Sequence, residues 1–145
     1  MKKAIIFIIF IIIIFFLISL IIPTPEEKGQ QEIAIYFRDY ENVDDCEATK
    51  KIERIISSTS TPESVAVTIL FDENLTDLKP FYEKVDRIGS KANIYFKREA
   101  LKYLNGPACL QQSYKAPIEQ TLKAEEGIEQ VDYFIEGERF VEWDA

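Results

Sequence analysis

The first pattern along the chain is an unbroken apolar run. Ala4 to Ile22 holds nineteen residues without charge, Gly or Pro, and Ser19 is its only polar side chain. As a helix at ~1.5 Å per residue it would be roughly 28 Å long, about the thickness of a bilayer's hydrocarbon core. Because it is apolar on every face, it does not read as a helix packed on one side of a core. The run predicts one transmembrane helix, with residues 1–22 as an N-terminal anchor. Residues 23–31 follow as a linker, Pro-Thr-Pro-Glu-Glu-Lys-Gly-Gln-Gln. Fully extended in polyproline geometry, it reaches only about 28 Å.

Beyond the linker the pattern becomes that of a small folded domain, residues 32–145. Ile33, Ile35 and Phe37 alternate with Ala34 and Tyr36, which predicts a strand over Glu32–Arg38 with both faces partly covered. Asp44 precedes Glu47 by three, like a capping box, and Ala48, Ile52, Ile55 and Ile56 then share a helical face. A helix over Asp45–Ser57 is expected. Ser64–Phe71 fits either element: its β-branched residues favour a strand, whereas Pro62-Glu63 suits a first helical turn. Glu83–Ile88 and Lys91–Lys97 flank Gly89-Ser90 as a β-hairpin. Arg98–Leu104 reads as a short helix stopped by Asn105-Gly106-Pro107, and a second helix starts at Ser113 or Pro117 and runs to Glu125. Val131, Tyr133 and Ile135 alternate in a strand, Glu136-Gly137 turns the chain, and Arg139–Trp143 returns. Ile35-Tyr36-Phe37-Arg38 and Ile94-Tyr95-Phe96-Lys97 are alike, as two strand-helix half-units would be.

Charge changes the picture of the surroundings. Lys2 and Lys3 precede the run, which favours the N-terminus inside and the domain outside the cytoplasmic membrane. A cleaved signal peptide is the alternative, but the run is long for one and Ile18 to Ile22 offers no small-residue cleavage site. All 25 acidic residues but only fifteen of the 17 basic ones follow the run, a net charge of −10. That balance argues against nucleic acid and against close docking on anionic lipid. The chain has no His, which removes the commonest general base and zinc ligand. Cys46 and Cys109 are the two cysteines, and outside the cytoplasm a disulfide between them can persist. Two separate buried thiols are the other reading.

The remaining chemical signals are weak. Asp72–Glu83 places Asp72, Asn74, Thr76 and Glu83 at calcium-loop positions, but Asp77 stands where the loop needs Gly and Pro80 follows. Asp44-Asp45, Glu125-Glu126 and Glu26-Glu27 are adjacent acids whose side chains point apart, so caps and solvated surface are expected. Asn74-Leu75-Thr76 fits a glycosylation sequon. Tyr36, Tyr95, Tyr133 and Trp143 could line a ligand groove, though strand packing accounts for them more simply. No catalytic, cofactor-binding or metal-binding residues emerge.

Several segments, in order, resemble the GerM-type (GerMN) domain of sporulation and spore-germination proteins. Ile118-Glu-Gln-Thr-Leu122, Ile128-Glu-Gln-Val131 and Phe134-Ile135-Glu136-Gly137 are similar to its closing part. Ala92-Asn-Ile94-Tyr95-Phe96 looks like the strand before its last helices, and Asn105-Gly106-Pro107-Ala108-Cys109 like a turn that carries a cysteine in many members. Ile35-Tyr36-Phe37, Cys46 and Ile52-Glu53-Arg54 fit its first strand and helix. The likeness spans residues 32–142. Leu70-Phe71-Asp72-Glu73 lacks the family's Gly-Pro stretch, and this chain carries a protein anchor and one copy. The resemblance implies an α+β fold, a small mixed sheet with strand-helix half-units and hairpins, and no catalytic centre. It favours a helix at Ser64–Phe71 and strengthens the Cys46–Cys109 bridge. It also implies a role in envelope or spore assembly, through another envelope protein or self-assembly. A domain that binds a small molecule or cell-wall glycan is the alternative.

Overall fold

A computed structural model describes residues 29–42, 44–57 and 60–141. The apolar run 4–22, most of the linker, Glu26-Glu27 and Trp143 lie outside the described residues. Among those described, no helix is long and apolar enough to cross a membrane.

The fold is α+β with two sheets. Strands β1 (Gln30–Arg38) and β2 (Thr49–Ser57) form an antiparallel hairpin of nine registered pairs, Gln30 opposite Ser57 through Arg38 opposite Thr49. Helix α1 (Pro62–Glu73) follows. A four-stranded sheet has the order β3 (Tyr82–Ile88), β4 (Lys91–Phe96), β5 (Gln130–Ile135), β6 (Glu138–Phe140). Its outer pairs are antiparallel, whereas β4 and β5 are parallel. The crossover between β4 and β5 carries a 3-10 turn at Arg98–Ala100, helix α2 (Leu101–Leu104) and helix α3 (Ala108–Lys123). Helix α1 packs against β1 and β3, and α3 against β1 and β5, so the helices join the hairpin to the sheet. One core results, with Ile33 and Ile35 of β1, Val67, Leu70 and Phe71 of α1, Ile94 and Phe96 of β4, and Ile118 and Leu122 of α3 buried in it. Phe71 meets Tyr82 edge-on at 4.9 Å between ring centres.

The largest correction concerns Asp45–Ser57, expected as a helix. Thr49–Ser57 is a strand. Ile52 and Ile56 are four apart, a spacing that puts them on one face of a helix and equally on one face of a strand. The pattern was therefore degenerate, and nine long-range pairs with β1 decided it. Ile55, which helical spacing would bury, is 70% exposed. The Asp45 carboxylate instead accepts the Glu47 N–H at 2.9 Å, an Asx turn. The half-unit reading falls with this helix, because β1 is followed by a strand and β4 by helices.

Ser64–Phe71 is helical, as the resemblance implied, with Glu63, Ala66, Val67, Leu70 and Phe71 buried at helical spacing. The second late helix begins at Ala108, five residues before Ser113, and holds Pro117 in its interior. In its first turns Gln111 and Ser113 are buried and bonded locally. The Gln111 amide donates to the Gly106 carbonyl at 2.8 Å, and the Ser113 hydroxyl to that of Leu110 at 2.7 Å. Strand β1 starts at Gln30, inside the expected linker; β6 starts at Glu138 and ends at Phe140, and residues 142–143 of the strand expected over Arg139–Trp143 lie outside the described residues. Both hairpin turns fall as read. At Glu136-Gly137 the two φ values are +52° and +82°, the left-handed pair that a tight two-residue hairpin requires.

Cys46, in the β1–β2 loop, is bonded to Cys109 in the first turn of α3, with Cα atoms 5.2 Å apart and a sequence separation of 63. Peptide mapping under non-reducing conditions should recover the two joined. Cys109→Ser should lower unfolding free energy by about 4 kcal/mol in the chain-entropy view, read as an earlier denaturant midpoint. An unchanged midpoint would show that the link constrains nothing.

Candidate functional site: the outer edge of β1

Strand β1 has one edge paired with β2 and one edge turned away from it. An unpaired edge presents backbone N–H and C=O groups at every second residue. At Arg38 both groups are taken by the side chain of Asn74, just past the end of α1. Its Oδ1 accepts the Arg38 N–H at 2.7 Å, and its Nδ2 donates to the Arg38 carbonyl at 3.2 Å. At Tyr36 the partner is Thr121 of α3, which is fully buried. Its hydroxyl oxygen accepts the Tyr36 N–H at 2.9 Å and donates towards the Tyr36 carbonyl at 3.5 Å. Two amphoteric side chains thus close two successive positions of the edge.

The next positions in that series, Ala34 and Glu32, open into a groove. It has a volume of ≈420 Å³ and lies between β1–β2 and the C-terminal end of α3. Its lining includes Ile33 and Ala34 of β1, Lys51 and Glu53 of β2, and Ala124 to Glu126 after α3. The charged groups around it are Glu32, Glu53, Glu125 and Glu126 against one ammonium, Lys51. Lys51 donates to Glu53 at 2.6 Å, which raises the lysine's pKa and lowers the glutamate's.

Glu125 is only 8% exposed and lies near a second buried acid, Glu63. Burial first, and repulsion from Glu63 second, push the Glu125 carboxyl up, while the Arg87 guanidinium pulls the other way. Arg87 is anchored here: it donates to the Glu126 carbonyl at 2.8 Å and to the Gly89 carbonyl at 3.1 Å. Gly127 makes room for it. A Cβ at that residue would stand 2.7 Å from Arg87 Nη2, and its φ is +79°.

Sequence-based candidates are distributed elsewhere. Cys46 and Cys109 form the structural link described above. The sequon residue Asn74 spends its side-chain nitrogen on the Arg38 carbonyl, so that amide is part of the fold. The calcium-loop positions do not converge. Asp72 pairs with Lys79 at 3.0 Å, and Asp77 accepts the Tyr114 hydroxyl at 3.2 Å. Burial and the Asp77 charge push that hydroxyl up to about 12. Leu75, between those acids, and Leu78, next to Asp77, are buried in the core. The tyrosines do not share a groove either. Tyr95 stacks on Phe134 at 4.8 Å, while Tyr133, the neighbour of Phe134 along β5, is buried. Glu125 corrects the expectation of a solvated acid, whereas Glu126, Asp44 and Asp45 are exposed as expected. Among the described residues no three or more of Cys, Asp and Glu gather around a common metal position. Pattern reading missed Thr121 and the role of Asn74. Each hydrogen-bonds to a strand more than thirty residues distant in the chain, and nothing local marks it.

No protein-family model matches this sequence, and no curated protein matches it significantly. One solved structure is similar. It is described as tandem GerMN domains of the sporulation protein GerM from Bacillus subtilis. The TM-score is 0.46 at 10% identity, over 81% of this chain and 43% of that one. This chain therefore spans less than half the length of that one, and no residue or role is carried across from it.

Two outcomes follow from the edge. Asn74→Ala leaves the Arg38 N–H and carbonyl without their protein partners, which should cost about 1–3 kcal/mol and speed amide exchange at Arg38 by hydrogen-exchange NMR. Glu125 holds a proton more tightly in the folded state, so stability declines as pH rises through the ordinary glutamate range and beyond it. Glu125→Gln removes that decline. It should raise the thermal midpoint at pH 7, with the advantage fading towards acid pH; an equal shift at every pH would rule out the charge as its cause.

Proposed function

We propose that this chain is a non-catalytic interaction module, anchored by the run Ala4–Ile22 and displayed outside the cytoplasmic membrane. It recognises another envelope protein or a further copy of itself. The observation that carries this reading is the groove beside β1: it is open, edged by charge, and lined along one side by four successive residues of the strand, Gln31 to Ala34. Such a surface suits a polypeptide partner better than a small molecule, whose sites are concave and mostly apolar. The grooves beside α2 and along α3 are likewise open and lined mainly by charged side chains. The Cys46–Cys109 link suits an oxidising compartment, which agrees with the orientation that Lys2 and Lys3 favour. The sequence resemblance to GerMN domains supplies envelope or spore assembly as the setting.

Cross-linking of the full chain in intact membranes tests the proposal. A discrete cross-linked species, either a second protein or a self-oligomer, is the expected result. Recovery of monomer alone with reagents of several lengths and chemistries would count against it.

A further inference from the structure

We infer that the open part of the β1 edge, Glu32 to Ala34, is a strand-addition site for an extended peptide segment carrying Lys or Arg. This deepens the interaction-module reading and rests on it. The edge has one period and two fates. Arg38 and Tyr36 turn their backbone groups away from β2, and Asn74 and Thr121 satisfy them. A strand's period of two puts the N–H and carbonyl of Ala34 and Glu32 on the same edge. There the helix that supplied Thr121 has ended, since α3 stops at Lys123 and the chain turns off through Gly127. Among the described residues no backbone or side-chain group outside the hairpin bonds either residue. The opening from Gln31 to Ala34 is four residues, roughly 13 Å of strand, and the Ala34 methyl leaves room above it.

Charge chooses the occupant. Glu32, Glu53 and Glu126 border the groove with the buried Glu125 behind them; Lys51, the one cation among the lining residues, is already bonded to Glu53, and the nearby Arg87 is held by two backbone carbonyls. Strand addition takes its affinity from main-chain hydrogen bonds and its selectivity from the flanking side chains. Those flanks favour a basic segment. A second copy would bring its own Glu32 and Glu126 to the same edge, and like charges facing across a strand pair are destabilising. The preceding linker is a poor occupant for the same reason, since Glu26 and Glu27 outnumber its one cation, Lys28.

The test uses the full chain in detergent micelles, with three acetylated six-residue peptides as probes. One alternates Lys and Val, one alternates Glu and Val, and the third is the first with N-methyl groups on alternate residues. NMR should show the Lys peptide shifting the amides of Glu32 and Ala34 and protecting them from exchange. The N-methylated peptide keeps the charge but loses three main-chain donors, and should bind about tenfold more weakly or worse. The Glu peptide should not bind. Glu32→Lys and Glu126→Lys, both at exposed positions that leave the core intact, should each weaken the Lys peptide and not abolish folding. The inference is overturned if the two Lys peptides bind equally, or if the shifts fall on the outer sheet face around Tyr95 and Phe134. It is also overturned if nothing binds, in which case Glu32 serves to repel strands. A cross-linked partner in membranes together with no peptide binding here would leave the interaction module standing and remove only this site.

Discussion

The burial of Ile33 and Ile35 in the core that β1 shares with α1 and α3 holds together two sheets that share no backbone hydrogen bond. A two-stranded hairpin is marginal by itself in water. Here one face of it closes the core, and the helices carry that contact onward to β3 and β5. The Cys46–Cys109 link fastens the loop at one end of the hairpin to the start of α3. The hairpin therefore owes its place to packing and a covalent tie, not to membership of a larger sheet.

That arrangement creates the edge problem and part of its solution. A strand covered by helices on one face cannot also be paired on both edges unless another strand is present. The protein satisfies two edge positions with side chains that both donate and accept, an amide and a hydroxyl. Each answers a backbone N–H and a backbone carbonyl at once, as a neighbouring strand would. The series stops where α3 stops, so the groove at Ala34 and Glu32 is a geometric consequence of helix length.

Electrostatics around the groove points the same way. Glu125 is kept largely out of water, and that burial first, with repulsion from Glu63 second, raises its pKa against the pull of Arg87. Arg87 is in turn held by two backbone carbonyls and depends on Gly127 having no side chain. The acidic end of the groove is thus built with fixed parts.

Strands β1, β3, β4 and β5 and both hairpin turns could be read from alternation and turn chemistry, because their signals are local. The stretch Ile52–Ile56 could not, since spacing by four serves a helix and a strand alike and only the partner strand distinguishes them. The start of α3 at Ala108, ahead of the expected Ser113 or Pro117, was equally hidden, because the buried Gln111 and Ser113 are satisfied by the Gly106 and Leu110 carbonyls, which composition does not reveal. Neither Thr121 nor Asn74 carries a sign in its neighbours of the strand it clamps.

By itself, then, the sequence determined an apolar run ahead of an acidic, histidine-free α+β domain with two cysteines, since length, charge and period are properties of adjacent residues. Tertiary structure alone decided that Thr49–Ser57 is a strand, that Cys46 meets Cys109, and that the β1 edge is closed at Arg38 and Tyr36 but open at Ala34. Each of these depends on groups far apart in the chain being brought within hydrogen-bonding or bonding distance, and only the packed fold does that.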